Sequence, residues 1–582
     1  MTQTNLDPVI LALTQNRLDH ISHQMGWVMV RTARSPIFSQ AHDFSCFIAG
    51  PNGEVVSQAD GIPIHTGSGG FGVRAILRDF GDVMAEGDVY LLNDPWQAGG
   101  NHLPDWVIAR PIFAGGAFVG LTCNRAHQSD IGGGAAGAYN PSATEVFHEG
   151  IRLPVLRLVE AGTMRDDLWK LLMLNTRTPH LLDGDLRAML GSTRIGMERV
   201  AALADELGPG TALDYFTGVL DHADRCVRAE IAKMPDGVYE AEDRSDNDCF
   251  ELRDVTVRVK ATIEGDRLAI DFTGTDDQIR GFKNSSLGNT HSAVYTALAS
   301  FLDPSLPHNE GAFRCVDIHA PEGSIVNAEE GAPTTMCTVF FAHEIIHAVW
   351  KALAQADPAR GCAGWAKNVF GISVGREANG NRYVFYHGAA AAGAGAVDGR
   401  DGFNQIGHVC TLGGLTMPNV EVYEQLYPVL FHRQEFRADA AGPGRWRGGS
   451  GADYEVEILT DATHSFRGEG LEYETGYGVN GGGAGAPGHM HLRFADGNTR
   501  KAPKFGLEST GPVRFVTQSP GGGGWGDPLE REPGMVLRDF RDGILSADTM
   551  REIYGVVAAD GGRAVDEEAT GALRAAMRNG GG

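Results

Sequence analysis

Gly99-Gly100-Asn101-His102-Leu103-Pro104-Asp105 runs into Trp106–Phe113, and Phe118–Cys123 runs into Arg125-Ala126-His127-Gln128-Ser129-Asp130. Between them lies Ala114-Gly115-Gly116. The apolar runs read as strands and the small residues as the turn that joins them. A hairpin centred near residue 115 sets Asp105 opposite about residue 125, and His102 and Leu103 opposite about 127 and 128. Residues distant in sequence then meet at its open end. Imidazole nitrogen with carboxylate oxygen suits Zn²⁺, Mn²⁺ or Fe²⁺. His102, Asp105 and His127 are therefore candidate ligands. Asp43, in His42-Asp43-Phe44-Ser45, is a possible fourth, and Asp130 another. Gly99-Gly100 and Gly132-Gly133-Gly134 are expected to let ligands approach without Cβ obstruction. The competing reading is that the histidines only hydrogen-bond loop backbone.

Outward from the hairpin, a long helix is expected after Asp7 as N-cap and Pro8 at the first position. Leu11, Leu18, Ile21, Met25 and Val28 recur at helical spacing, and Ser35-Pro36 ends the run. Val89–Asn93 reads as a further strand. A second clear helix spans Asp183 to Leu207, stopped by Gly208-Pro209. A β region begins near Gly237 and includes Leu268–Phe272. Another helix is expected over Thr338–Ala354. From Tyr383 to Trp525 the chain is glycine-rich and strand-like, and the last fifty residues read as helical and polar. The expectation is an α+β, multi-lobed protein. It has an N-terminal helical and β metal-bearing region, 1–235, then a central α/β region, 236–420. A β-rich, glycine-dense region, 421–530, and a helical tail, 531–582, follow.

With 582 residues, several cores are expected. The net charge of −25 disfavours nucleic acid and anionic membrane as partners. No stretch approaches the roughly 20 apolar residues of a membrane span. Met1–Asn5 carries no basic leader pattern, and the eight cysteines form no Cys-x-x-Cys pair, so a cytoplasmic location is expected. The 79 glycines cluster in runs such as Gly481–Gly483 and Gly521–Gly524, which implies tight turns and close backbone approaches.

Three motif matches weigh against their context. His343-Glu344-Ile345-Ile346-His347 matches H-E-x-x-H, but no third ligand follows nearby, so a helix with two partly buried histidines is expected. Gly371-Ile372-Ser373-Val374-Gly375 matches the nucleophile elbow, yet a turn and another strand follow where a helix is needed. Gly483-Ala484-Gly485-Ala486-Pro487-Gly488 matches G-x-G-x-x-G without the helix that binds pyrophosphate. No Walker A pattern is present.

Asn93-Asp94-Pro95, Gly99-Gly100, His102-Leu103-Pro104-Asp105, Arg125-Ala126-His127 and Asp130-Ile131-Gly132-Gly133 together resemble the hydantoinase B/oxoprolinase family. Glu149-Gly150-Ile151-Arg152-Leu153-Pro154, Asn175-x-Arg177-x-Pro179, Gly184-Asp185-Leu186, Asp271-Phe272-Thr273-Gly274-Thr275 and Asn309-Glu310-Gly311 continue the resemblance in order. Gly442–Gly449, Thr517–Pro528 and Tyr554-Gly555-Val556 complete it over nearly the whole chain.

The resemblance implies a B-type subunit paired with an A-type subunit of actin-like ATPase fold, in a hetero-oligomer with two or more copies. It implies that the partner uses ATP with Mg, and that this chain holds a divalent metal (Zn, Mn or Fe) at positions matching His102, Asp105 and His127. It also implies ATP-dependent hydrolysis of a cyclic amide: a hydantoin, oxoproline or a lactam. A subunit of an ATP-dependent ketone carboxylase is the alternative, and a non-catalytic scaffold subunit a second. Many relatives carry His-His where this chain has His127-Gln128, and a Glu where it has Gln40-Ala41-His42. For the fourth ligand the anionic Asp43 is preferred over neutral Gln40. Asp105 is read as a ligand or as a general base for water, and the sequence leaves both roles open.

Overall fold

The computed structural model describes residues 6–58, 61–367, 369–471 and 473–580. They form two compact units. One runs up to Ala352 and includes Cys410–Met417; the other comprises Leu353–Val409 and the chain from Pro418 onward. The architecture is α+β, with four sheets of four or more strands.

In the first unit, β1 (Phe44–Ala49), β2 (Val55–Gln58), β3 (Val89–Leu92), β4 (Asp105–Ala114), β5 (Ala117–His127), β6 (Leu156–Glu160) and β7 (Thr163–Met164) form one antiparallel sheet, ordered β2-β1-β5-β4-β3-β6-β7. The expected hairpin is its centre, with a corrected register. Asp105 pairs with His127, not with residue 125. One step of the shift comes from the turn, where Gly115 and Gly116 both take positive φ and Ala114 pairs with Ala117. The other comes from a bulge between Ile112 and Phe113. A shift of two keeps every side chain on its expected face; a shift of one would have moved Asp105 to the opposite one.

Parity along β5 separates two environments. Thr122 Oγ1 donates to Thr193 O (2.9 Å) and Asn124 Nδ2 to Met189 O (2.9 Å), so the even positions meet the helix Pro179–Leu207. That helix packs on the helix Pro8–Thr32, where Ser192 Oγ donates to Met25 O at 3.0 Å. Asp7 caps the latter, accepting from Val9 N and Ile10 N. The odd positions Leu121 and Cys123 join Phe47, Val73, Ile76, Val107 and Ala109 in a separate core. Arg125 and His127 continue that same face. A second sheet of the same unit has four strands: β8 (Gly237–Asn247), β9 (Leu252–Glu264), β10 (Arg267–Asp271) and β11 (Val316–His319), in the order β11-β10-β9-β8.

The second unit holds a four-stranded and a five-stranded sheet. β12 (Val369–Arg376), β13 (Arg382–Tyr386), β16 (Ala462–Gly468) and β19 (Phe505–Thr510) form the first. β14 (Val429–Phe436), β15 (Ala452–Ile458), β17 (His489–Phe494), β18 (Thr499–Lys501) and β20 (Val513–Gln518) form the other. Their core includes Phe385, Tyr454, Val456, Phe466 and Phe515.

Next to these sheets the glycine-dense segments cross one another with backbone against backbone. A Cβ on Gly521 would lie 1.7 Å from Ala440 O, on Gly522 1.9 Å from Ala394 O, on Gly523 1.9 Å from Tyr477 O and on Gly524 2.0 Å from Pro443 O. Four consecutive glycines thus face three different neighbouring segments, around Ala394, Ala440–Pro443 and Tyr477. The main chain is tied across, not along, the run: Gly522 N donates to Gly449 O, Gly523 N to Gly364 O and Gly524 N to Gly483 O. Such extended, laterally bonded packing requires glycine wherever another chain passes, as at the axis of a collagen triple helix.

Ser373 lies in mid-strand on β12, fully buried, 2.8 Å from both His387 Nε2 and His464 Nδ1. His464 Nε2 is 2.9 Å from Thr510 Oγ1, and His387 Nδ1 3.2 Å from Tyr454 Oη. This is a packed polar network inside a sheet and no nucleophile elbow. Burial brings the His464 pKa down to about 4 and holds His387 well below its usual value. In the unfolded chain both imidazoles take up protons near pH 6.5, so the unfolded state binds more protons below that pH and stability falls with it. His464 alone accounts for roughly 3 kcal/mol lost between pH 6.5 and 4. Thermal melting followed from pH 7 to 4 should show this decline. In a His464→Gln chain the slope should shrink by one proton; an unchanged slope would contradict the assignment.

Candidate metal centre

The chain enters β1 just after Asp43, where His127 N donates to Asp43 O at 3.1 Å, while register sets Asp105 beside His127. His102 lies in the loop before β4. Gly100 makes that loop possible, since a Cβ there would fall 2.1 Å from Asn93 O. The expected role of this glycine, giving access to a ligand, is replaced by packing of one backbone on another. Asn93 then fastens the loop through Nδ2 to Leu103 O (2.8 Å) and Ile151 O (3.0 Å).

His102 Nε2 stands 2.7 Å from Asp105 Oδ1, and His127 Nδ1 3.1 Å from the same oxygen. The three ligand atoms lie within 4.8 Å of one another, the only such group among the described residues. His102 and Asp105 are buried to 1% and 0% side-chain exposure. Yet His102 Nε2 and Asp105 Oδ2 make no aligned hydrogen bond. Two atoms bound at about 2.1 Å to one ion, between right-angled and tetrahedral, stand roughly 3.0–3.4 Å apart. His127 Nδ1 stands at such a distance from Asp105 Oδ1 and His102 Nε2 somewhat closer, and two imidazoles with a buried carboxylate are a donor set that fits the divalent cation that the sequence implies.

Electrostatics agree. Burial works to raise the Asp105 carboxyl, but the charges of His102 and His65 and the contact with His127 hold it well below the usual range. For His102, burial opposes the charge, while Asp105 and the Thr335 carbonyl outweigh it and raise the pKa. Burial raises Asp43, with His127 and His65 opposing.

Asp43 reaches the group through a residue that sequence reasoning missed. His65 Nε2 lies 3.2 Å from Asp105 Oδ2 and 3.6 Å from Asp43 Oδ1. It sits in the short helix Pro63–Thr66, and its peptide is held by Arg125, whose Nη1 donates to His65 O at 2.7 Å and to Ser68 Oγ. Nothing in the sequence marks His65, because no strand register links it to the hairpin. Cys410–Met417 was also missed: Thr416 N donates to Ala41 O at 3.0 Å, bringing this segment beside Asp43.

Other candidates fall outside the cluster. Asp130 accepts from Gly132 N, Gly137 N and Arg177 N, and pairs with the Arg177 guanidinium at 3.1 Å; it shapes the following loop. Gln128 has even parity and reaches Ala126 O and Met189 Sδ on the opposite face. Tyr139, from the loop after Asp130, stacks on His127 with centroids 5.5 Å apart. His343, Glu344 and His347 are fully buried on the helix Ala342–Ala356, with Glu344 accepting from Phe341 N and His347 Nδ1 2.8 Å from Asp243.

A sheet that brings His-x-x-Asp and a second histidine together at the mouth of one hairpin, ahead of a glycine-packed β unit, defines a class. Residues 7–528 match the family model described as Hydantoinase B/oxoprolinase, and the chain belongs to that family. It is 35% identical to the beta subunit of the caprolactamase of Pseudomonas jessenii, over 98% of this chain and 99% of that one. The crystal structure of ATP-dependent caprolactamase from the same organism superposes with a TM-score of 0.88 at 34% identity, covering 98% of this chain and 100% of the other. The B component of a putative D-/L-hydantoinase from a Pseudomonas species is 29% identical over 98% of both chains. An acetone carboxylase in its nucleotide-free form shares the fold alone, with a TM-score of 0.89 at 21% identity over 99% of this chain and 83% of that one.

Proposed function

We propose that this chain is the B-type subunit of an ATP-dependent cyclic amide hydrolase, acting on a substrate activated by an A-type partner with an actin-like ATPase fold. The observation that carries the reading is the buried His102–Asp105–His127 group, in a chain similar over its full length to the beta component of a caprolactamase. His102, Asp105 and His127 would hold the metal, with Asp43 as fourth ligand. A divalent ion there would polarise oxygen and ease deprotonation of water near neutral pH.

This chain's residues set the rest. An unstrained amide resists attack because resonance stabilises it; phosphorylation of its oxygen by the partner, with ATP and Mg, would remove that resonance. Asp105, fully buried among three imidazoles, suits a ligand better than a base. Asp43 keeps 24% side-chain exposure, against 4% or less for His65, His102, Asp105 and His127. His65 would hold Asp43 and Asp105 in place. The location that fits is the cytoplasm, and no helix among the described residues is long and apolar enough to cross a membrane.

The test is metal removal. Chelator-stripped chain, reassembled with its partner, should still support ADP release but form little amino acid product, and added Zn²⁺, Mn²⁺ or Fe²⁺ should restore it. Full product formation without metal would overturn the reading.

A further inference from the structure

His102 uses its two imidazole nitrogens differently. Nε2 faces Asp105, while Nδ1 lies 2.5 Å from Thr335 O. A carbonyl only accepts, so this contact places the ring proton on Nδ1 and leaves the Nε2 lone pair for the site. The Thr335 carbonyl is itself held. Thr334 N donates to Glu149 Oε2 at 2.9 Å and Thr335 N donates to Glu149 Oε1 at 2.7 Å, one amide on each carboxylate oxygen. Glu149 is 1% exposed.

The position of Glu149 is in turn tied to the other ligand strand. The loop that follows His127 pairs with it: Gly134 N donates to His148 O at 2.8 Å, and Ile151 N to Ile131 O at 3.0 Å. Gly133, at φ +76°, admits this approach, since its Cβ would lie 2.6 Å from Glu149 C. A continuous path therefore runs from the His127 loop through Glu149 and the Thr334–Thr335 backbone to the His102 ring.

We propose that Glu149 is a positioning residue for His102: it fixes the Thr334–Thr335 segment so that the Thr335 carbonyl holds the imidazole with Nε2 aimed at the metal. This rests on the metal-centre reading above. Partners of this kind set ligand tautomer, orientation and basicity. A carboxylate is needed because glutamine offers one acceptor oxygen, and its NH2 would face the second amide N–H.

The test uses the full chain and Co²⁺, by chelator competition and by the ligand-field absorption band. Glu149→Gln should weaken Co²⁺ binding about 10- to 100-fold and shift the band. Glu149→Asp, which keeps the charge but shortens the reach, should do so in the same direction and less, and serves if the amide variant folds poorly. In a His102→Ala background Glu149→Gln should add almost nothing. A lowered Tm with unchanged Co²⁺ affinity and band would make Glu149 merely structural and overturn the proposal, as would a full additional loss in the His102→Ala background. Wild-type chain that binds no Co²⁺ would overturn the metal-centre reading itself.

Discussion

His102→Ala is expected to bring metal content from about one ion per chain to background and to lower product formation in the assembled enzyme by more than about a hundredfold. The substitution removes the nitrogen that stands 2.7 Å from Asp105 and leaves the buried Asp105 carboxylate with less to balance its charge. Two remaining side-chain donors, Asp105 and His127, plus the more exposed Asp43 would not replace a rigid imidazole whose other nitrogen is anchored on Thr335 O. Assembly with the partner should persist. His432→Ala, at a histidine paired with Glu457 on β14, should change neither quantity. Metal analysis and turnover of the two variants decide the matter. Undiminished metal in His102→Ala would show that the ion sits elsewhere, and intact turnover would favour a scaffold role for this chain.

The second large effect is on folding. Gly522→Ala places a methyl group 1.9 Å from Ala394 O and 2.2 Å from Ala394 C, and both are backbone atoms with no side-chain rotamer to move. The segments flanking Gly522 are bonded to other strands of the same packing, so relief at one contact creates strain at the next. A loss above about 3 kcal/mol, or failure to fold, is expected. Gly571→Ala is the control: it lies in the helix Glu567–Gly580 with nothing within 4 Å, and should stabilise by up to about 1 kcal/mol. Equilibrium denaturation of both variants checks the contrast; a Gly522→Ala chain as stable as the parent would refute the packing account.

Much of the site was legible in the sequence because strand periodicity is rigid. With the turn at Gly115-Gly116, alternation carries Asp105 and His127 to one face, even with the register off by two. The glycine runs likewise announce close backbone approach, though the three separate segments that Gly521–Gly524 face are invisible to any local pattern. What stayed hidden depends on long-range contact. His65 enters on a short helix turn with no register relation to the hairpin. Glu149 acts through the peptide of Thr335, whose identity as an amino acid is irrelevant because only its backbone is used. The separate roles of Gln128 and His127, adjacent in sequence, follow from parity alone and were readable in principle.

The most direct test of the account is ADP release and product analysis by this chain reconstituted with its A-type partner, run against cyclic amides and ketones with labelled bicarbonate present. The account predicts ADP release stimulated by a cyclic amide, an amino acid product, and no label retained in it. Release stimulated by a ketone, with label fixed into a carboxylated product, would contradict it and make the chain a carboxylase subunit.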